Sequence, residues 1–257
     1  MSHPTPKLIP LTGQPIGDQF MELARVDSTN NYAMSKVHAG EAVHGTVYFA
    51  HEQTMGKGQR GKSWSSSPGE NITMSVVLAP AGTLPVQQFL LNMALAVAAF
   101  DFINESIGEN LAIKWPNDLY WKESKLGGIL IENLFRGKEL MGSVAGFGIN
   151  VNQTQFDERI PNPVSFKKIT GQRYDLKELS KTLCGHIGKR YEELKNLNEK
   201  NILSDYNSRL FKKNERVSLM KEEKKITTTI RQVNLKGQLI TEAPDGIYNH
   251  GEVEWML

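Results

Sequence analysis

Between Val86 and Ile107 the chain places Phe89, Leu90, Met93, Leu95, Val97, Phe100 and Ile103 at helical spacing, with few polar residues between them. A helix that is apolar on nearly every side has to be covered on nearly every side. The fold must therefore supply a broad sheet, and the sequence predicts its strands. Two, near Thr46 to Glu52 and Ile72 to Leu78, precede the helix. After it come two β-like runs flanking a polar turn at Lys122 to Ser124, and a further strand begins near Met141. A short helix from an N-cap at Ser28 to about Val37 comes first. The expected class is α+β with a mixed, mainly antiparallel sheet.

Beyond the sheet, Asp175 and Glu178 form a capping-box pattern ahead of Leu176, Leu179, Leu183, Ile187, Tyr191 and Leu194, and a further helix is expected near Ile202 to Phe211. After Asn214 the pattern changes to short strands at Val217 to Met220, Ile226 to Val233, Gln238 to Thr241 and Gly246 to Trp255. Turns at Lys236-Gly237 and Asp245-Gly246 separate them, as in a small barrel. The division is a domain over residues 1–212 and a small one over 213–257.

Composition narrows the partners. A chain of 257 residues with 39% hydrophobic content can bury a core, and its net charge of +2 argues against wholesale nucleic-acid or membrane binding. The single cysteine, Cys184, rules out an internal disulfide and sits on the apolar stripe of a helix. Six histidines show no metal-ligand spacing, so no structural metal is expected. No apolar run approaches the ~20 residues of a membrane span, and the N-terminus lacks a signal-peptide layout, which makes the cytoplasm the default.

Three glycine-rich segments carry the chemistry. Gly56-Lys57-Gly58-Gln59-Arg60-Gly61-Lys62-Ser63-Trp64 sets three glycines and three cations directly after a strand, a loop suited to closing on an anion with backbone amides and mobile charge. It fits neither the Walker A nor the dinucleotide spacing. Lys114-Trp115-Pro116-Asn117-Asp118 and Lys125-Leu126-Gly127-Gly128 lie at the ends of the predicted hairpin, where consecutive strand glycines mark close backbone or ligand approach. Gly146-Phe147-Gly148-Ile149-Asn150-Val151-Asn152 ends the next strand and offers amide donors and acceptors suited to a heterocycle edge.

With Asp27-Ser28-Thr29-Asn30 and a terminal Gly251-Glu252-Val253, these motifs resemble the biotin–protein ligases, in family order from about residue 20 to the end. The resemblance implies a class II synthetase-like catalytic domain with an SH3-like C-terminal barrel. The reaction it implies joins biotin and ATP as biotinyl-5′-AMP, with Mg2+ accompanying the ATP, and then transfers biotin to a lysine of a carboxyl carrier domain. About twenty-five residues precede Asp27, too few for the winged-helix DNA-binding domain of regulatory members, so a ligase without a DNA role is expected; a homodimer is left open.

Carried over by motif, Ser28, Thr29, Asn30 and Gln53 would read the biotin ring, with Gly127 and Gly128 lining its slot. Gly56 and Lys57 would stand near the biotin carboxylate. Lys125 would bridge carboxylate and α-phosphate, making it, with Arg60 and Lys57, the catalytic set. Arg60, Lys62, Trp64, Lys114, Asn117 and Asn150 would meet the nucleotide, and Asp118 would help place magnesium or Lys114. One departure stands out: the family carries arginine where this chain has Gln59, and lysine replaces arginine at Lys57 and Lys62. Two weaker readings stay open, a lipoate or octanoyl transferase and a non-enzymatic anion-binding module.

Overall fold

A computed structural model gives the structure of the protein over residues 8–11, 13–80, 85–196, 198–242 and 246–256. In chain order the elements are β1 (Phe20–Val26), α1 (Thr29–Ala39), β2 (Val47–Gln53), β3 (Asn71–Leu78), α2 (Pro85–Ile107), β4 (Leu111–Lys114), β5 (Asp118–Trp121), β6 (Ser124–Arg136) and β7 (Glu139–Asn150). There follow α3 (Phe166–Thr170), α4 (Leu176–Lys195), α5 (Glu199–Ser208), β8 (Arg216–Lys221), β9 (Lys224–Val233), β10 (Leu239–Thr241), β11 (Ile247–Tyr248) and β12 (Glu254–Trp255). Seven strands form one sheet in the order β1-β2-β3-β7-β6-β5-β4; five form another, β11-β10-β9-β8-β12. Only the β1–β2 pair is parallel among the described strands, so the mixed, mainly antiparallel expectation holds.

The large sheet has two unlike faces because its strands alternate with period two. Ile72, Met74 and Val76 of β3, Phe147 and Ile149 of β7 and Ile129 of β6 join Leu90, Met93, Leu95, Val97, Phe102 and Ile103 of α2 in the main core. Each such side chain removed from water contributes about 1.5–3 kcal/mol, and truncating Phe102 to alanine would cost about 3–5 kcal/mol. On the opposite face α1 buries Ala33 and Val37 against Tyr48, Val77 and Val144. Between that helix and the sheet's far edge the second face carries Gly128, Gly146 and Gly148, with Leu130 as the one aliphatic side chain in their rows.

Several expectations need correction. The strand β1 was not anticipated: it is an edge strand with Met21, Glu22, Ala24 and Arg25 exposed, so exposed residues fall on both faces and no apolar–polar alternation marks it. The run around Pro116 is two strands, β4 and β5, with the proline in the turn between them. The last predicted helix lies earlier, at α5, and the strand expected over Gly246 to Trp255 is two short ones, β11 and β12. Asp245 of the predicted Asp245-Gly246 turn lies outside the described residues. Phe89–Ile107 is, by length and composition, long and apolar enough to cross a membrane, contrary to the sequence reading; here it packs under the sheet and against α4.

The C-terminal sheet is joined to the rest by specific bonds. The Trp115 indole N–H donates to the Gly237 carbonyl at 2.9 Å, and Asn207 pairs both ways with the Val233 backbone. Phe89 lies against Gly237, where any Cβ would collide with its ring.

Candidate active site

The loop after β2 is a small closed hairpin. Trp64 N–H donates to Gly56 O at 2.8 Å, Gly58 N–H donates to Lys62 O at 2.7 Å, and Lys57 bridges Ser63. Glycine is required at 56, since a Cβ there would strike the Trp64 carbonyl. Its tip is a 3-10 turn, Gln59–Gly61, in which Arg60 adopts a left-handed conformation with φ 55°. A non-glycine residue stores roughly 1–2 kcal/mol there. The chain holds it by aiming the Arg60 guanidinium at the Gly251 carbonyl, 3.1 Å away.

Beneath the loop, strand register lines up the residues of the bare face. Thr73, Gly148, Gly128, Asp118 and Lys114 form one row across β3, β7, β6, β5 and β4. Ser75, Gly146 and Leu130 form the next. The glycines make room for particular groups. The Trp64 ring lies on Gly148, where a Cβ would come within 2.5 Å of it, and Asn30 occupies the space over Gly146. Gly127 would press its Cβ on the Gly148 carbonyl at 2.7 Å, and Gly128 faces Asp118 and Lys125.

Above this floor opens a cleft of about 770 Å³ whose walls include Gly56, Lys57, Arg60 and Lys62 from the loop and Leu130 and Glu132 from β6. A second depression of about 410 Å³, between Gln59, Arg60, Phe89 and His250, joins it at Arg60 and Leu130. Burial pushes the His250 imidazole below its ordinary pKa, and the Arg60 charge adds to this.

The predicted phosphate-binding cations of the loop thus line one cleft. Lys125 is held at its end of the floor by Asp118, 2.7 Å away. Lys114 is set back: its ammonium donates to the Tyr120 hydroxyl at 3.1 Å and lies over the rings of Tyr120 and Trp255. Burial lowers its pKa to about 8, Asp118 opposes the shift, and Lys125 and Lys62 assist it. Asn117 and Asn150, expected at the nucleotide, are buried and spend their amide N–H groups on the carbonyls of Ile129 and Val164. They shape the floor rather than line the described cleft walls.

At the other end lies a buried polar chain. The N–H of Thr29 donates to Gln53 Oε1 at 2.7 Å, and the Thr29 hydroxyl lies 3.0 Å from the same oxygen. Ser75 Oγ is 2.7 Å from Thr29 Oγ1 and 2.6 Å from Asn30 Oδ1. Asn30 Nδ2 donates to Glu132 Oε2 at 2.8 Å, and Glu132 Oε1 faces Lys57 at 3.5 Å. Ser28 is buried at the N-cap of α1 but makes no capping bond with its side chain, which differs from the role its position suggests.

Sequence reasoning missed Ser75 and Glu132. A serine inside the run from Ile72 to Leu78 was a signal, since a polar group in a buried strand has to find a partner. Period two from Gly128 through Leu130 would have put Glu132 on the glycine face.

The sequence profile of the Biotin/lipoate A/B protein ligase family matches residues 22–150. The bifunctional ligase/repressor BirA of Escherichia coli is 29% identical over 92% of this chain and 73% of its own length. BirA of Bacillus subtilis is 31% identical, and the chain spans about half of it, 47%. The biotin--[acetyl-CoA-carboxylase] ligase of Paracoccus denitrificans is 34% identical over 61% of this chain and 66% of that protein. Among solved structures, the biotin protein ligase from Aquifex aeolicus in complex with biotin and ATP superposes with a TM-score of 0.76 at 28% identity, covering 92% of this chain and 98% of that one.

Proposed function

The chain belongs to the biotin/lipoate A/B protein ligase family, and from that premise we propose that its cleft activates biotin with ATP and passes it to a protein. It is an ATP-dependent ligase: biotin and ATP give biotinyl-5′-AMP and pyrophosphate, and a lysine amine of a biotin carboxyl carrier domain then displaces AMP. One observation carries the reading. A polar end, Thr29 bonded to Gln53 and to Ser75 opposite Gly146, and a cationic end, Lys125 beside Gly128 with the loop of Lys57, Arg60 and Lys62, lie along the same glycine-floored face.

That layout matches a ligand with a neutral ureido ring at one end and a carboxylate at the other. Bringing the carboxylate against the α-phosphate opposes two anions, and the loop cations with Lys125 offset that repulsion where charge develops. Ser28, Thr29, Asn30 and Gln53 hold the ring, Gly56, Gly127 and Gly128 let it lie close to backbone, and Trp64 walls the nucleotide side. Catalysis is then mostly positioning.

Magnesium belongs to the ATP in this reading. Among the described residues no group of three or more His, Cys, Asp or Glu could hold a metal on its own; magnesium would arrive with the ATP, and Asp118 is the carboxylate the family resemblance offers it. The reading places the enzyme in the cytoplasm, needs neither DNA nor a membrane, and is compatible with monomer or homodimer. Pyrophosphate release measured with ATP and biotin, lipoate or no acid tests it. Release with biotin alone is expected; release with lipoate alone, or with none, overturns it.

A further inference from the structure

Three oxygen-to-oxygen contacts run in series through the buried end of the site: Gln53 Oε1 to Thr29 Oγ1, Thr29 Oγ1 to Ser75 Oγ, and Ser75 Oγ to Asn30 Oδ1. The two hydroxyls between them carry only two protons. One contact must go without, unless the Asn30 amide turns over and donates to Ser75. Glu132 prevents that turn. A carboxylate only accepts, so the Asn30 NH2 has to face Glu132 Oε2 at 2.8 Å, with the Leu130 carbonyl as a second acceptor at 3.3 Å.

Asn30 Oδ1 therefore faces Ser75, and the two protons belong to the two shortest contacts, 2.6 and 2.7 Å, so that Ser75 donates to Asn30 and Thr29 donates to Ser75. The Thr29–Gln53 contact, the longest at 3.0 Å, is the one left without a proton. Gln53 Oε1 then receives only the Thr29 backbone N–H and keeps a lone pair for a ligand N–H. Thr29, Asn30 and Ser75 are 4%, 3% and 0% exposed, so water does not short-circuit the chain.

We propose that Glu132 is a positioning residue of the biotin site: through Asn30, Ser75 and Thr29 it sets the direction of the protons so that Gln53 accepts a ureido N–H. This rests on the ligase reading given above. Replacing Glu132 with glutamine is nearly isosteric but offers an NH2 group. Asn30 can then turn over, all three contacts gain protons, and the Thr29 hydroxyl takes the Gln53 lone pair that the ligand needs.

The test uses the full-length protein and biotin alone in a calorimetric titration, followed by steady-state kinetics. Glu132→Gln is expected to weaken biotin binding about tenfold and to raise KM for biotin equally; it also removes the charge that faces Lys57, so the kcat and KM for ATP, expected unchanged, are read in Ser75→Ala, which keeps that pair. Ser75→Ala interrupts the same chain, should show the same loss, and carries the test if the first variant does not fold. Because both act through one relay, the double variant should bind no worse than the weaker single. Unchanged biotin affinity in Glu132→Gln, or additive losses in the double variant, would overturn the proposal. A wild type that binds no biotin sinks the ligase reading itself.

Discussion

Arg60 at the tip of the glycine-rich loop and Gly251 of the C-terminal segment are 191 residues apart in sequence, and the guanidinium of one donates to the carbonyl of the other at 3.1 Å. Gly251 has φ +89°, and a Cβ on it would collide with that guanidinium. The glycine-rich loop is thus tied at its tip to the C-terminal segment.

Gly251→Ala should therefore do two things. It should lower stability by about 1–3 kcal/mol through strain at a positive φ, and it should reduce kcat/KM for ATP several-fold while biotin affinity stays within about twofold. Removing the residues after Asn214 should impair catalysis further. Chemical denaturation and pyrophosphate kinetics check both, and a folded truncation with unchanged turnover would rule out a catalytic part for the C-terminal sheet.

Lys125→Ala should abolish adenylate formation and leave biotin binding within about tenfold, because the side chains proposed to hold the ring, Thr29 and Gln53, are at the other end of the floor. Loss of a preorganised donor at developing charge costs about 2.7–4 kcal/mol. Single-turnover formation of biotinyl-AMP measures this directly; a near-normal rate in the variant refutes it.

Gly148→Ala should displace Trp64, whose ring lies 2.5 Å from the position of the new methyl. The expected result is a change in tryptophan fluorescence with a several-fold rise in KM for ATP, and a smaller one for biotin. An unaltered spectrum together with normal kinetics would show that the ring moves aside freely.

The buried Lys114 gives a pH dependence with a definite sign. Its folded pKa of about 8 lies below the 10.5 of the unfolded chain, so between these values the unfolded state binds the extra proton and stability rises with pH. Tyr120 opposes this at the upper end, since burial holds its phenol above the ordinary value. The gain should amount to roughly 2–3 kcal/mol between pH 8 and 10 and vanish in Lys114→Met. Urea titrations of both proteins across that range measure it, and identical curves would contradict the burial assigned to this ammonium.

Gln59 stands beside Arg60 at the loop tip and lines the second depression. An arginine there could add a charge-assisted bond worth about 1.5–3 kcal/mol, of which a neutral amide recovers about half. Arg60, tied to Gly251, compensates only in part. Preformed biotinyl-AMP should leave the wild type several-fold to about tenfold faster than Gln59→Arg. Equal dissociation half-lives would sink the idea, and a collapse confined to Arg60→Ala would show that Arg60 had taken over.

The sequence by itself determined the local elements and the chemistry of the ends: a helix apolar enough to demand a covering sheet, glycines where backbone must come close, and lysines and an arginine in a loop that can close on an anion. These are short-range properties, set by periodicity and by residues three or four apart. It could not say that Thr73, Gly148, Gly128, Asp118 and Lys114 form one row, because cross-strand register joins positions far apart in the chain. Nor could it place Lys114 between Tyr120 and Trp255, or set Glu132 and Ser75 on either side of Asn30. Burial and proton direction depend on which distant groups share a low-dielectric space, and only the tertiary structure decides that.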